Sequence, residues 1–192
     1  VTAVSGRVLM LNGRPLSDVT LHIGGKTAIS DRTGRFLVTD VGAGPQTAVI
    51  DGRSANAPDR TFGVFLSRVD VRSGETTVLP YTIWMPRLDT AHAVPISSPL
   101  GADLVVTTPL IPGLEVHIPK GSVIRDHDGR PVSQISITPI PVDRPPFPLP
   151  TGVEVPVYFT IQPGGGFIET PNAPWPSGAR VVYPNFTQQR PG

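Results

Sequence analysis

Asp126-His127-Asp128-Gly129 sets three potential metal ligands directly ahead of a glycine. Alternating carboxylates followed by glycine form the first half of a calcium loop, which then needs a further oxygen ligand and a bidentate glutamate about six residues after the glycine. Here Arg130-Pro131-Val132 follows, and the glutamate position is Ile135. Asp-Gly between two apolar runs is also a strong hairpin signal, and an aspartate at a turn caps its own backbone without a metal. The stretch therefore reads as a turn, as does Asp31-Arg32-Thr33-Gly34. His22, His92, His117 and His127 are candidate ligands or acid–base groups, but no two share a His-X-His or His-X3-His spacing. His22 and His117 fall inside alternating segments and are expected to face solvent. Asp103, Glu115, Asp143, Glu154 and Glu169 are scattered, with no grouping that selects the carboxylate pair of a glycoside hydrolase. With no cysteine in the chain, disulfides and thiolate metal sites are excluded. No catalytic residue, metal or cofactor is expected from these side chains.

The segments that carry them are short and β-like. From Val4 to Gly52, the apolar runs Arg7–Leu11, Val19–Ile23, Arg35–Thr39 and Thr47–Ile50 alternate with Asn12-Gly13, Gly24-Gly25, Asp31–Gly34 and Gly42–Gly44. Strands punctuated at this spacing by Gly, Asn and Asp predict a small antiparallel β-sandwich. Thr61–Val71 continues the pattern, and Thr77–Met85 reads as one strong closing strand. Arg87–Leu100 is polar with two prolines and is expected to be a linker or crossover, which places a boundary between domains at 1–90 and 91–192. In the second half, 102–108, 113–122, 124–132 (turning at Asp128-Gly129), 134–140, 153–162 and 179–183 read as strands. No helix start followed by a 3.6-residue apolar period is present. The two halves do not read as repeats of each other. The expected fold is all-β, two tandem β-sandwich domains.

Composition bounds the partners. Of 192 residues, 24 are Pro and 20 are Gly, which approaches the level of disordered chains. Hydrophobic residues at 39%, gathered in β-branched runs, and charged residues at only 16% argue for a folded protein. A net charge of +1 with dispersed arginines offers no concentrated basic face for nucleic acid. No run approaches the ~18 apolar residues of a membrane span. Val1 is not a natural start, so the chain is expected to be a fragment whose second domain is truncated.

Two resemblances rest on longer phrases. The first half, with Asn12-Gly13-Arg14-Pro15-Leu16, Val19 and Ser30-Asp31-Arg32-Thr33-Gly34-Arg35-Phe36, resembles the carboxypeptidase regulatory-like (transthyretin-like) domain, a β-sandwich that usually serves as a non-catalytic spacer or adhesive unit. The second half reads Gly113-Leu114-Glu115-Val116-His117-Ile118-Pro119-Lys120-Gly121-Ser122-Val123-Ile124, then Ile135-Ser136-Ile137-Thr138-Pro139-Ile140-Pro141, then Val155-Pro156-Val157-Tyr158-Phe159-Thr160-Ile161-Gln162-Pro163-Gly164-Gly165. It is similar to the ZU-type β domain, and more so to the module upstream of the YD repeats in bacterial Rhs-type and teneurin-like surface proteins. The resemblance implies an architectural or interaction module of a large exported, secreted or cell-surface protein, positioning or plugging a neighbouring repeat shell. Its partners would be neighbouring domains of a longer polypeptide, or another cell-surface protein or glycan, with no nucleic acid and no membrane insertion. Some ZU-type domains cleave themselves at His-Phe-Ser. Here Tyr158-Phe159-Thr160 occupies the matching stretch, and without the histidine base the hydroxyl is a weak nucleophile. No autoproteolysis is expected.

Val142–Pro150 carries Pro145, Pro146, Pro148 and Pro150 around Arg144 and Phe147. Such a segment is biased to polyproline II and reads as a rigid loop packed by Phe147, or alternatively as a docking strip. Asn172–Pro176 is a second rigid loop around Trp175, and Asn185-Phe186-Thr187 matches a glycosylation acceptor. Trp84, Phe147, Trp175 and Tyr183 are the expected interaction anchors, with Phe159 as a packing anchor. A second reading is a carbohydrate- or peptide-binding adhesin using exposed Tyr81, Trp84, Trp175 and Tyr183.

Overall fold

Along Arg35–Thr39 the apolar Phe36 and Val38 alternate with residues that stay exposed, and this period of two decides which face a strand buries. The computed structural model describes residues 1–149, 152, 155, 157–170 and 178–184. It is all-β, with a single 3-10 turn at Gly52–Ala55 among the described residues. The chain divides into two units, Val1–Leu88 with Ile140–Val153, and Asp89–Pro139 with Glu154–Gly192.

The first unit holds β1 (Ala3–Met10), β2 (Thr20–Ile23), β3 (Lys26–Ile29), β4 (Arg35–Thr39), β5 (Gly44–Asp51), β6 (Val64–Val71), β7 (Thr76–Val78) and β8 (Ile83–Met85). One sheet runs β4-β1-β7, with β8 also on β1, and the other runs β3-β2-β5-β6. Val4, Val8, Val38 and Ile83 from the first sheet and Leu21, Ile23, Ile50 and Val69 from the second are buried, which gives the sandwich its core. Burial of such side chains is the main term holding the layers together. Two pairings depart from the antiparallel expectation: β7 and β8 both run parallel to β1. The expected single strand Thr77–Met85 is broken in two. Val78 lies opposite Ser5 and Ile83 opposite Val8, so five steps on one side match three on β1. Pro80, which has no N–H to give the ladder, sits in the bulge between them. β3 is a strand that propensity does not reveal, because Lys26 and Thr27 are polar and its Ile29 is exposed.

The second unit holds β9 (Val94–Pro95), β10 (Leu104–Thr107), β11 (Glu115–Ile118), β12 (Val123–Arg125), β13 (Gln134–Pro139), β14 (Phe159–Gln162), β15 (Phe167–Glu169) and β16 (Arg180–Val182). They form three small sheets, β10-β11-β16, β12-β15 and β14-β13-β9. Leu100, Val106, Leu114, Val116, Ile124 and Ile137 make one buried cluster, and Phe159 packs half-buried against it. Arg87–Leu100, expected as a linker or crossover, is tied down by backbone hydrogen bonds. Leu88 N–H donates to Thr61 C=O at 2.8 Å, Ile96 N–H to Ser133 C=O at 2.8 Å and Leu100 N–H to Ser122 C=O at 2.9 Å.

The two units share a turn construction. Asn12-Gly13-Arg14-Pro15-Leu16-Ser17 and Asp128-Gly129-Arg130-Pro131-Val132-Ser133 match position by position. Met10 N–H donates to Arg14 C=O, as Asp126 N–H does to Arg130 C=O, both at 2.9 Å. Gly13 N–H donates back to Met10 C=O at 2.9 Å, and Gly129 N–H to Asp126 C=O at 3.0 Å. Leu16 N–H reaches Val8 C=O at 3.1 Å, and Val132 N–H reaches Ile124 C=O at 3.0 Å. Both glycines have positive φ, 83° and 78°, the left-handed conformation that closes such a turn. Each turn leads into a buried run, Val19 and Leu21 in one unit and Ile135 and Ile137 in the other.

Candidate functional site

The proline-rich segment closes onto the first unit. Asp143-Arg144-Pro145-Pro146-Phe147 lies between Ile140 and Val153, inside the sequence of the second half yet grouped with the first unit. Pro146 is buried and Phe147 half-buried. Arg144 places its guanidinium 5.6 Å from the centroid of the Trp84 ring, and Trp84 N–H faces Pro145 C=O at 3.4 Å. A further guanidinium N–H of Arg144 donates to Leu11 C=O. Arginine suits this position because its planar cation stacks on an indole while its edge still donates. The strap opens on a turn, with Arg144 N–H donating to Pro141 C=O at 3.0 Å, and its prolines fix φ, so less chain entropy is lost on closing it.

Of the four expected anchors, Trp84 lies in β8 and Phe147 in the strap, both in the first unit. Tyr183 follows β16 in the second unit and is 56% exposed. Trp175 lies outside the described residues, with the rest of the Asn172–Pro176 loop and the Asn185-Phe186-Thr187 sequence. Tyr81 is half-buried with its hydroxyl 3.2 Å from Ser67 Oγ. One face of Trp84 is taken by Arg144, a partner that spacing along the chain does not reveal.

Of the aspartates with ligand-like spacing, Asp126 and Asp31 each give one carboxylate oxygen to their own backbone. Asp126 Oδ1 accepts from Asp128 N–H and Arg130 N–H, both at 2.9 Å. Asp31 Oδ1 accepts from Thr33 N–H and the Thr33 hydroxyl at 2.7 Å and from Arg35 N–H at 3.1 Å. The Thr33 hydroxyl, followed by the Arg35 and Thr33 amides, holds the Asp31 carboxyl below its ordinary range. At Asp51, burial works to raise the carboxyl, but the Arg53 side chain and amide outweigh it and the net shift is downward. Arg53 grips both oxygens of that carboxylate, Nε donating to Oδ1 at 2.9 Å and Nη2 to Oδ2 at 2.7 Å.

The histidines stand apart. His22 meets Thr27 Oγ1 at 2.9 Å, His92 meets Asp89 Oδ2 at 2.7 Å and His117 meets Glu115 Oε2 at 2.7 Å. Among the described residues, no three His, Asp or Glu side chains converge to hold a metal ion. Thr160 lies in β14 opposite Thr138, and its hydroxyl oxygen accepts from the Gln162 amide at 2.8 Å. Burial pushes the neighbouring Tyr158 phenol up to about 12, so it stays protonated at neutral pH and cannot serve as a base there. In the second unit a pocket of about 270 Å³ is lined by Asp103, Val105, His117 and Arg180. Its Asp103 carboxylate already accepts from Lys120 N–H at 2.7 Å. Among the described residues no helix is long and apolar enough to cross a membrane.

No family model matches the chain, and no curated protein matches it. Among solved structures, the Bacillus anthracis TIE protein is similar over 70% of this chain, at 12% identity and a TM-score of 0.38. The chain spans 23% of that protein's length. A likeness at this level carries no argument about family or activity.

Proposed function

We propose that this chain is a non-catalytic architectural and interaction module of a large exported or cell-surface protein, of the Rhs-type or teneurin-like kind, in which it positions or plugs a neighbouring repeat shell. The observation that carries the reading is the strap: the most unusual segment of the sequence is spent on the chain's own first unit, through Arg144 on Trp84. A docking strip or a sugar platform needs its aromatic faces open, and here the exposed Tyr183 belongs to the other unit. The aspartates at Asp31 and Asp126 serve turns, which is work that a scaffold requires. An immunoblot of cell fractions against this segment tests the proposal. A very large band in the exported or surface fraction is expected. A soluble intracellular species of about this chain's own size would contradict it.

A further inference from the structure

Among the described residues the strand β6 ends its sheet with one side open, and that side has a readable hydrogen-bonding parity. β5 and β6 pair antiparallel from Gly44 opposite Val71 to Asp51 opposite Val64. One step further, Gly52 N–H donates to Gly63 C=O at 3.0 Å, which marks that pair as hydrogen-bonded. Antiparallel pairs alternate, so Phe65, Ser67, Val69 and Val71 turn their amides to β5, while Val64, Leu66, Arg68 and Asp70 turn theirs outward. Arg72 follows the same parity, and its N–H is taken by Thr77 Oγ1 at 2.9 Å, which closes the end of the edge. Among the described residues the outward groups of Leu66, Arg68 and Asp70 have no backbone partner.

Side chains restrict what can add there. Arg68 and Asp70 lie on the solvent face, their side chains 76% and 80% exposed, and approach each other only to 3.9 Å. A second β6 running antiparallel can pair at least two of Leu66, Arg68 and Asp70 with one another in three registers. Centred on Arg68, it sets arginine against arginine. Centred on Ser67, it sets Arg68 against Leu66. Centred on Val69, it sets Arg68 of each copy directly opposite Asp70 of the other, in hydrogen-bonded pairs. Opposite charges in that position stabilise a pair of strands and like charges oppose it. Charged side chains on an edge oppose pairing in most registers, but Arg-X-Asp is complementary to itself in this one. Beside this edge, β6 and Thr76–Tyr81 line a groove of about 610 Å³ in which Val78 is 67% exposed. An added strand would cover part of that apolar surface.

We infer that the outer edge of β6 is an interface for a second copy of this chain, paired antiparallel about Val69 with two reciprocal Arg68–Asp70 contacts. A two-fold arrangement makes each contact twice, as closed dimers do. The pairing is small, so the dimer forms at high micromolar concentration or when copies are held close.

Sedimentation velocity of the whole chain from micromolar to millimolar concentration tests this, with amide hydrogen exchange at Leu66, Arg68 and Asp70. A concentration-dependent dimer and matching protection of those amides are expected. Arg68→Asp and Asp70→Arg should each weaken the dimer roughly tenfold, because two attractive pairs become repulsive. The Arg68→Asp/Asp70→Arg double variant restores complementarity and should return the dimer. Both substitutions are at exposed positions, and circular dichroism verifies the fold of all three variants. A chain that stays monomeric throughout overturns the inference. So does a dimer indifferent to the charge swap, and so do edge amides already protected at the lowest concentration, which would show the chain covering its own edge.

Discussion

Arg144 and Trp84 lie far apart in sequence, and the pair they form belongs to neither alone. The sequence marks both residues as unusual, the arginine among prolines and the tryptophan in a short strand, but the meeting depends on a chain reversal that no local pattern encodes. Truncating Arg144→Ala should lower stability by about 1 kcal/mol, while Arg144→Lys keeps the charge, loses the flat stack and the edge donor, and recovers only part. Denaturant midpoints measure both. Two aspartates make the fold acid-sensitive. Asp31 and Asp51 have folded-state carboxyls held below their ordinary value of 3.8, so the unfolded chain binds protons first as pH falls. Their stabilisation is complete above that value and is lost as pH drops through the lower folded values. Asp31→Asn should flatten the fall in stability as the pH drops below the ordinary carboxyl value of 3.8, because one such group is gone. A variant whose acid limb keeps the parent's slope would contradict this.

At the scale of elements, much of the fold was legible. Turns at Asn12-Gly13, Asp31–Gly34 and Asp128-Gly129 follow from residues that cap their own backbone, and the alternation of β2 and β4 named their buried faces. What escaped depends on neighbours. β3 is polar and forms because Gly24-Gly25 folds it back on β2. The shared Gly-Arg-Pro turn escaped because conservative swaps such as Leu16 for Val132 leave the repeat hidden until the hydrogen bonds are laid side by side. Gly34 and Gly129 both have positive φ, at 75° and 78°, but differ in room. A Cβ at Gly34 would lie 2.2 Å from Val8 C=O, while one at Gly129 meets nothing within 4 Å. Gly129→Ala should therefore cost roughly 1 kcal/mol from conformation alone. Gly34→Ala should cost at least about 3 kcal/mol, since the β1–β4 connection must also shift. Thermal melts of the two variants make the comparison, and equal losses would show that the clash is relieved cheaply.

At the scale of the molecule, composition and strand pattern were enough for an all-β chain, but not for the way its units share the sequence. The chain leaves the first unit after Leu88, returns to it at Ile140 and leaves again after Val153. A sequence reading assigns neighbouring residues to the same unit by default, and only contacts such as Arg144 with Trp84 reveal the return. The central claim is that this strap holds the first unit's own structure instead of waiting as a docking strip. In a Trp175→Phe background Trp84 is the sole tryptophan, so its fluorescence follows strap and unit together. The measurement is denaturant unfolding of that variant, followed by Trp84 emission and by far-ultraviolet circular dichroism. Coincident transitions are predicted, because the indole cannot lose its cover until the unit opens. An emission change completed at lower denaturant than the loss of β-structure would contradict the claim, since it would mean that the strap lifts from an intact unit.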